Sequence, residues 1–309
     1  MRRAGIDVGG TKFLGVVLDE DGTILHESRR LTPVGEHALV DALVEMAESL
    51  GPWDSLGVGM PGLVTRTGVV RSSPHLPDVA EFDVAAALSR RLGRDVAVDN
   101  DATCAAVAEW KVGAGRGAAD LVMVTLGTGI GGGIVANGRL VRGRNGFAGE
   151  FGHMVVDPDG LECPCGRRGC WERYAAGTGL AQLARSAAHT GRASRIVALA
   201  GGSIDAIRGE HVQSAAREGD ADALTVIEAF GRWVAIGLVN LANTLDPALF
   251  VLGGGVASSP ELYIGSISRS FAELLYAPGH RPHPVLTIAE LGERAGAVGA
   301  ALLAQHGDT

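Results

Sequence analysis

Apolar residues in the first third of the chain come in short runs, many of them stopped by a glycine or an acid. Residues 5–8 and 13–18 read as two short strands joined by Gly9-Gly10-Thr11-Lys12, and Asp19-Glu20-Asp21-Gly22 is a turn into a third strand at 23–28. Leu39, Leu43, Met46 and Leu50 then recur at helical spacing, which predicts an amphipathic helix over 36–50. Residues 56–59 have the pattern of a buried strand and run into Met60-Pro61-Gly62. Asp83 is placed to cap a helix that ends at Leu92, with Gly93 just past its end. A further strand at 95–98 carries Asp99-Asn100-Asp101 at its C-terminal tip and precedes a helix over 102–111. Strands alternating with helices predict an α/β fold.

A second unit begins near 113–117. A strand at 121–126, a glycine loop at 127–133 and a strand at 134–136 that turns at Asn137-Gly138 repeat the opening strand–glycine turn–strand, with a period of about 120 residues. Helical stretches follow a cysteine-rich insert and include 221–246; a strand at 250–252 then ends in Gly253-Gly254-Gly255, and 295–305 forms an Ala-rich last helix. No low-complexity linker separates the two units.

Composition sharpens this picture at one residue type. The chain has 46 glycines in 309 residues, about 15% against a usual ~7%, and they cluster where apolar runs end. Glycine at a strand end lets backbone approach a ligand closely. The net charge is 27 − 35 = −8 with no basic run beyond Arg-Arg pairs, which speaks against a nucleic-acid partner. Met1-Arg2-Arg3 leads directly into strand-like residues, so no signal peptide is expected. The charge-free stretch 121–138 holds six glycines and would make a poor membrane helix. Four cysteines without a secretion signal suit metal or chemistry better than a disulfide framework, and the protein is expected to be cytoplasmic with no membrane partner.

Gly127-Thr128-Gly129-Ile130-Gly131-Gly132 satisfies the dinucleotide fingerprint, with Glu150 about 20 residues on. That fingerprint needs a helix directly after the loop, whereas here a strand and a hairpin turn follow, and no Walker A lysine is present. What is left is a strand–turn–strand loop whose N–H groups and Thr128 hydroxyl can hold phosphate oxygens. Asp7-Val8-Gly9-Gly10-Thr11-Lys12 is a second such loop, with a hydroxyl at Thr11, a point charge at Lys12, and Asp7 able to hold Mg²⁺ through water. Either loop alone could be a tight hairpin; two at equivalent places favour phosphate. Cys163, Cys165 and Cys170 put three thiols in eight residues, and a fourth ligand would complete a tetrahedral structural zinc; three free thiols are the alternative. Asp101 can be a base facing a cleft or the cap of the helix behind it.

These motifs together resemble the ROK family (repressors, uncharacterised reading frames and sugar kinases), and most of all its bacterial, actinobacterial-type glucokinase branch, almost from end to end. The resemblance implies an actin-like ATPase, ribonuclease H-like α/β fold of two domains with an interdomain cleft. One domain would span 1–115, the other 116–291 with a zinc-binding insert at 153–172, and a C-terminal helix over 292–306 would return to the first. It further implies an ATP-dependent kinase acting on the 6-hydroxyl of D-glucose with Asp101 as general base. Asn100, Gly62, Glu150, His153 and Glu172 would bind the sugar. Asp7, Gly9, Gly10, Thr11, Lys12, Gly127, Thr128, Gly129, Gly253, Gly254 and Gly255 would bind ATP, the last three within an adenosine motif over 252–257. His153 would complete a structural zinc site with Cys163, Cys165 and Cys170, one Zn²⁺ per chain; Mg²⁺ would accompany ATP, and a homo-oligomer (dimer or tetramer) is expected.

Two stretches depart from the family pattern: Pro74-His75-Leu76-Pro77-Asp78-Val79, where Asn-Leu-Pro and a Trp are common, and Ala102-Thr103-Cys104, where Ala-Asn is commoner. They leave room for mannose, an N-acylhexosamine or kanosamine as the sugar, while polyphosphate is the alternative donor. A sugar-responsive ROK transcriptional regulator would need a helix-turn-helix before Asp7, where six residues stand.

Overall fold

A computed structural model describes residues 1–255 and 257–304. Val256, in the 252–257 stretch, and residues 305–306 of the expected last helix lie outside the described residues.

The chain opens with β1 (Arg3–Val8), β2 (Lys12–Leu18) and β3 (Ile24–Leu31), followed by α1 (Glu36–Ser49) and β4 (Ser55–Met60). A small ribbon of β5 (Leu63–Val64), β6 (Val69–Ser72) and β7 (Phe82–Asp83) leads to α2 (Val84–Leu92), β8 (Val96–Asn100) and α3 (Asp101–Val112). The expected caps of α2 are in place: Asp83 accepts from Ala86 N, and Gly93 closes the helix in the left-handed region. β9 (Leu121–Leu126), β10 (Ile130–Ala136) and β11 (Arg139–Val141) come next, then α4 (Glu172–Ala175), α5 (Gly177–His189), α6 (Ser194–Leu199), α7 (Gly209–Arg217) and α8 (Ala221–Leu245). The chain finishes with β12 (Leu249–Gly253), α9 (Pro260–Leu274), β13 (Val285–Ile288) and α10 (Ala295–Leu303).

Two five-stranded sheets have matching orders, β3-β2-β1-β4-β8 and β11-β10-β9-β12-β13. In the first, β1 pairs antiparallel with β2 and parallel with β4, which pairs parallel with β8. The repeat read from the sequence is therefore a repeat of topology. β10 begins at Ile130 rather than 134, because the glycines expected in the loop sit inside the strand. At Gly133 a Cβ would lie 2.4 Å from the Ala106 methyl, so α3 packs where no side chain fits.

The chain divides into two compact units: residues 1–123, 132–149 and 289 onward, and residues 124–131 with 150–288. The hairpin at 132–149 groups with the first unit, which differs from a break at 115/116. Its glycines explain why: Gly133 packs on α3, and a Cβ on Gly146 would lie 2.5 Å from the Val64 carbonyl oxygen.

Within the first unit, α10 lies on α3, β1 and β4. This accounts for its Ala and Gly composition: a Cβ on Gly299 would stand 1.7 Å from the Cys104 carbonyl oxygen. Gly299→Ala is accordingly expected to destabilise the protein by roughly 1–3 kcal/mol through overpacking, read as a lower urea midpoint with an unchanged slope.

In the second unit, α8 is long and apolar enough to cross a membrane by length and composition. However, 56% of its most apolar window is buried inside the protein, and it carries Asp222, Glu228 and Arg232. It is the core helix of its unit, with Phe230, Val234 and Leu238 fully buried.

Candidate active site

In the first unit the chemistry gathers at one edge. β1, β4 and β8 run parallel, so Asp7, the Met60–Gly62 segment and Asn100-Asp101 all stand at their C-terminal ends, where open α/β sheets bind ligands. The loop after Asp7 is closed by Gly9 N donating to Lys12 O at 3.0 Å and by the Thr32 hydroxyl donating to Gly9 O at 2.7 Å. Thr11 and Lys12 face solvent at its tip.

Asp7 Oδ1 is buried without a hydrogen-bond partner. Burial first, and the neighbouring Asp101 charge second, push its carboxyl from 3.8 up to about 8. Gly296 on α10 leaves the space it occupies, since a Cβ there would lie 2.4–2.6 Å from the carboxyl atoms. An orphaned, buried carboxylate oxygen beside a phosphate-type loop suits a cation or its water. Between about pH 4 and 8 the folded protein holds a proton on Asp7 that the unfolded chain has released, so stability falls as pH rises through that window. In metal-free protein, Asp7→Asn is expected to raise Tm at pH 7.5, by an amount worth a few kcal/mol, and to flatten this pH dependence. Turnover should fall in the same variant; an unchanged or lower Tm would contradict the burial argument.

Asn100 is the N-cap of α3, its Oδ1 accepting from Thr103 N at 2.9 Å. Its Nδ2 donates to Gly62 O at 3.1 Å and to Asp101 Oδ1 at 3.0 Å. Asp101 Oδ1 also accepts from Ala102 N at 2.8 Å. The capping duty thus falls on Asn100, and Asp101 is the first helical residue with its carboxylate oriented by the amide beside it. Gly62 adopts φ +100°, and a Cβ there would lie 2.2 Å from Ser72 O, so only glycine brings this carbonyl to Asn100. Asp99 is turned to a different task, accepting from Arg142 Nε at 2.7 Å. Of the two departing stretches, Thr103 and Cys104 are buried in the helix packing, while His75 is exposed and lies against Gly10 of the loop after β1.

The second unit brings together Gly127, Thr128, Gly129, Glu150, His153, Glu172 and the Gly253–Gly255 turn. Gly127 N donates to Gly129 O at 3.0 Å, closing the loop much as Gly9 and Lys12 close theirs, and Thr128 is exposed. Gly177 N, opening α5, donates to Gly127 O at 2.9 Å. Gly254 packs on Leu126, the residue before this loop. Glu172 Oε2 accepts from Ile130 N at 2.9 Å and lies where a Cβ on Gly129 would be, 2.4 Å away. Burial raises the Glu150 carboxyl above its ordinary value; His153 works against that shift and Glu172 adds to it.

His153, Cys163, Cys165 and Cys170 offer ligand atoms that all lie within 4.8 Å of one another. Cys165 Sγ is 3.6 Å from Cys170 Sγ, and Cys163 Sγ is 3.9 Å from His153 Nδ1. A tetrahedral zinc with Zn–S near 2.3 Å sets ligand atoms about 3.8 Å apart, which these two spacings match, so the Cys₃His donor set suits such an ion. The knuckle is shaped by Cys163 N donating to Arg167 O at 2.7 Å and by bridges between Val155 and Cys170 and between Glu162 and Arg168.

Two residues of structural weight, Trp171 and Glu109, are not among those that the sequence pattern singles out. Trp171 is fully buried, donates from Nε1 to Trp233 O at 2.7 Å, and packs on Gly237 of α8. It stands between Cys170 and Glu172, so a candidate metal ligand, a core anchor and a carboxylate are consecutive; its place inside the cysteine motif is the available signal. Glu109, a charged residue on a helix, carried no such signal.

The sequence pattern of the ROK family matches residues 3–307. The chain is 39% identical over 310 residues to a glucokinase of Streptomyces coelicolor, covering 98% of each. It is 35% identical to a glucokinase of Thermotoga maritima, over 97% of this chain and 96% of that one. Among solved structures, a ROK family glucokinase from Streptomyces griseus in complex with glucose and AMPPNP matches at TM-score 0.88 and 40% identity, over 99% of this chain and 100% of that one. The likeness runs along nearly the whole length of both partners, and the chain belongs to the ROK family, with its actin-like sugar-kinase architecture.

Proposed function

We propose that this protein is an ATP-dependent hexose kinase that transfers the γ-phosphoryl group of ATP to the 6-hydroxyl of D-glucose. The observation that carries the reading is the shared edge of β1, β4 and β8, where a phosphate-type loop, an orphaned carboxylate and an oriented Asn-Asp pair stand together. The full-length likeness to glucokinases supports glucose and ATP as the substrates.

In this reading Asp101 accepts the proton of the 6-hydroxyl as that oxygen bonds to the γ-phosphorus. The bond from phosphorus to the β–γ bridging oxygen breaks, and its electron pair leaves with ADP. Asn100 orients the Asp101 carboxylate, and the Gly62 segment brings backbone to the sugar. The backbone N–H groups of Gly9, Gly10, Gly127 and Gly129, the hydroxyls of Thr11 and Thr128, and Lys12 hold phosphate oxygens, while Gly253, Gly254 and Gly255 take the adenosine. Asp7 would hold Mg²⁺ through water; when bound, the ion neutralises phosphate charge.

Glu150, His153 and Glu172 would accept from and donate to the 1- and 2-hydroxyl region of the sugar. His153 can serve two partners: with Nδ1 toward the thiolates, Nε2 carries the ring proton and can donate to a hydroxyl. His153, Cys163, Cys165 and Cys170 would hold one structural zinc, which does no chemistry itself. A cytoplasmic setting, expected from the cysteine usage, and a homo-oligomer, implied by the family resemblance, belong to the same proposal.

The test is regiochemical. ADP release from Mg-ATP should accelerate with glucose and stay at background with 6-deoxyglucose, which lacks the accepting hydroxyl. Equal acceleration by both sugars would exclude the 6-hydroxyl as the acceptor.

A further inference from the structure

We propose that Glu109 is a positioning residue for the donor phosphates, acting through the chain segment that joins β13 to α10. This rests on the reading above, in which Asp7 and Lys12 serve the phosphates.

Glu109 lies on α3 and has no exposed surface. A lone buried carboxylate is costly unless strong donors surround it. Its partners among the described residues are three backbone N–H groups: Leu291 N donates to Oε1 at 2.8 Å, while Glu290 N at 3.1 Å and Ala114 N at 2.9 Å donate to Oε2. Charge-assisted bonds of this kind are roughly twice as strong as neutral ones. The carboxylate thereby clamps residues 290–291 to the C-terminal end of the helix that begins at Asp101.

The clamped segment then meets the phosphate-loop residues twice. Glu293, two residues on, reaches Lys12 Nζ at 3.3 Å and Arg29 NH1 at 2.8 Å. Gly296, five residues on, sets its backbone against the Asp7 carboxyl with no room for a Cβ. Arg294, between them, donates to Glu27 Oε2 at 2.6 Å. A shift of residues 290–291 is therefore passed to both Asp7 and Lys12, and misplacement by about 1 Å far from the chemistry can cost up to about 10²-fold.

Glu109→Gln tests this. It keeps the shape but turns an amide N–H toward at least one of the three N–H donors, so the clamp cannot close on all of them. We expect KM for Mg-ATP and Kd for Mg-ADP, measured by calorimetry, to rise roughly 10-fold, with KM for glucose changed less than about twofold. Glu109→Asp, which keeps the charge, should recover part of the nucleotide affinity. In Lys12→Met, adding Glu109→Gln should cost less than it does alone, as expected for residues acting through one another. A lower Tm with Mg-ADP affinity and both KM values unchanged would overturn the proposal and leave Glu109 a purely structural clamp. Should Glu109→Gln fail to fold, Glu109→Asp carries the same comparison. Because Mg-ADP binding is read without turnover, failure of glucose phosphorylation in the wild type would be distinguishable from failure of this inference.

Discussion

Asp101→Ala is expected to fold like the wild type and to lose about 10²–10⁴-fold in kcat, the usual size of a general-base contribution. The structure separates this effect from a helix-capping effect. Asn100, not Asp101, caps α3, so Asp101→Ala should change stability by less than ~0.5 kcal/mol, whereas Asn100→Ala removes the cap and should cost about 1 kcal/mol. Removing the Asp101 charge also removes one of the two causes that raise the Asp7 carboxyl, so Asp7 should titrate lower in the variant. Stability by urea titration and kcat by initial rates report the two effects independently. Near-normal turnover in a folded Asp101→Ala protein would take Asp101 out of the mechanism.

The second large effect concerns the metal. Elemental analysis is expected to find one zinc per chain, and Cys170→Ser is expected to lose it together with several kcal/mol of stability, each worth roughly 1–2 °C of Tm in a chain of 309 residues. The loss should reach the sugar because Cys170, Trp171 and Glu172 are consecutive, and Glu172 is the carboxylate bonded to Ile130 N beside Gly129. KM for glucose should rise more than KM for Mg-ATP. Cys104→Ser is the control: Cys104 is fully buried, its thiol raised by burial, and it stands outside the four-ligand cluster. A metal-free preparation with full activity and unchanged Tm would contradict the structural-zinc account.

Much of this was legible in the chain because it was local. The Asp83 cap and Gly93 stop of α2, the Asn-Asp pair at the tip of β8 and the cysteine spacing each depend on a few neighbouring residues. What escaped the sequence depends on distant partners. Gly131–Gly133 read as loop, yet they lie in β10 because α3 packs against Gly133. β5 and β7 are two-residue strands, too short to show a period. Glu109 reads as one more charge on a helix, and only the fold supplies the N–H groups of residues 290 and 291 that make its burial tolerable. The grouping of 132–149 with the first unit likewise arises from close backbone approaches that no local pattern encodes.

The most direct test of the central claim is formation of glucose 6-phosphate from D-glucose and Mg-ATP, followed as NADPH in a coupled assay. A rate of about 1–100 s⁻¹, the usual range for kinases, is the result this account predicts. A folded, zinc-loaded protein that forms no glucose 6-phosphate would contradict it.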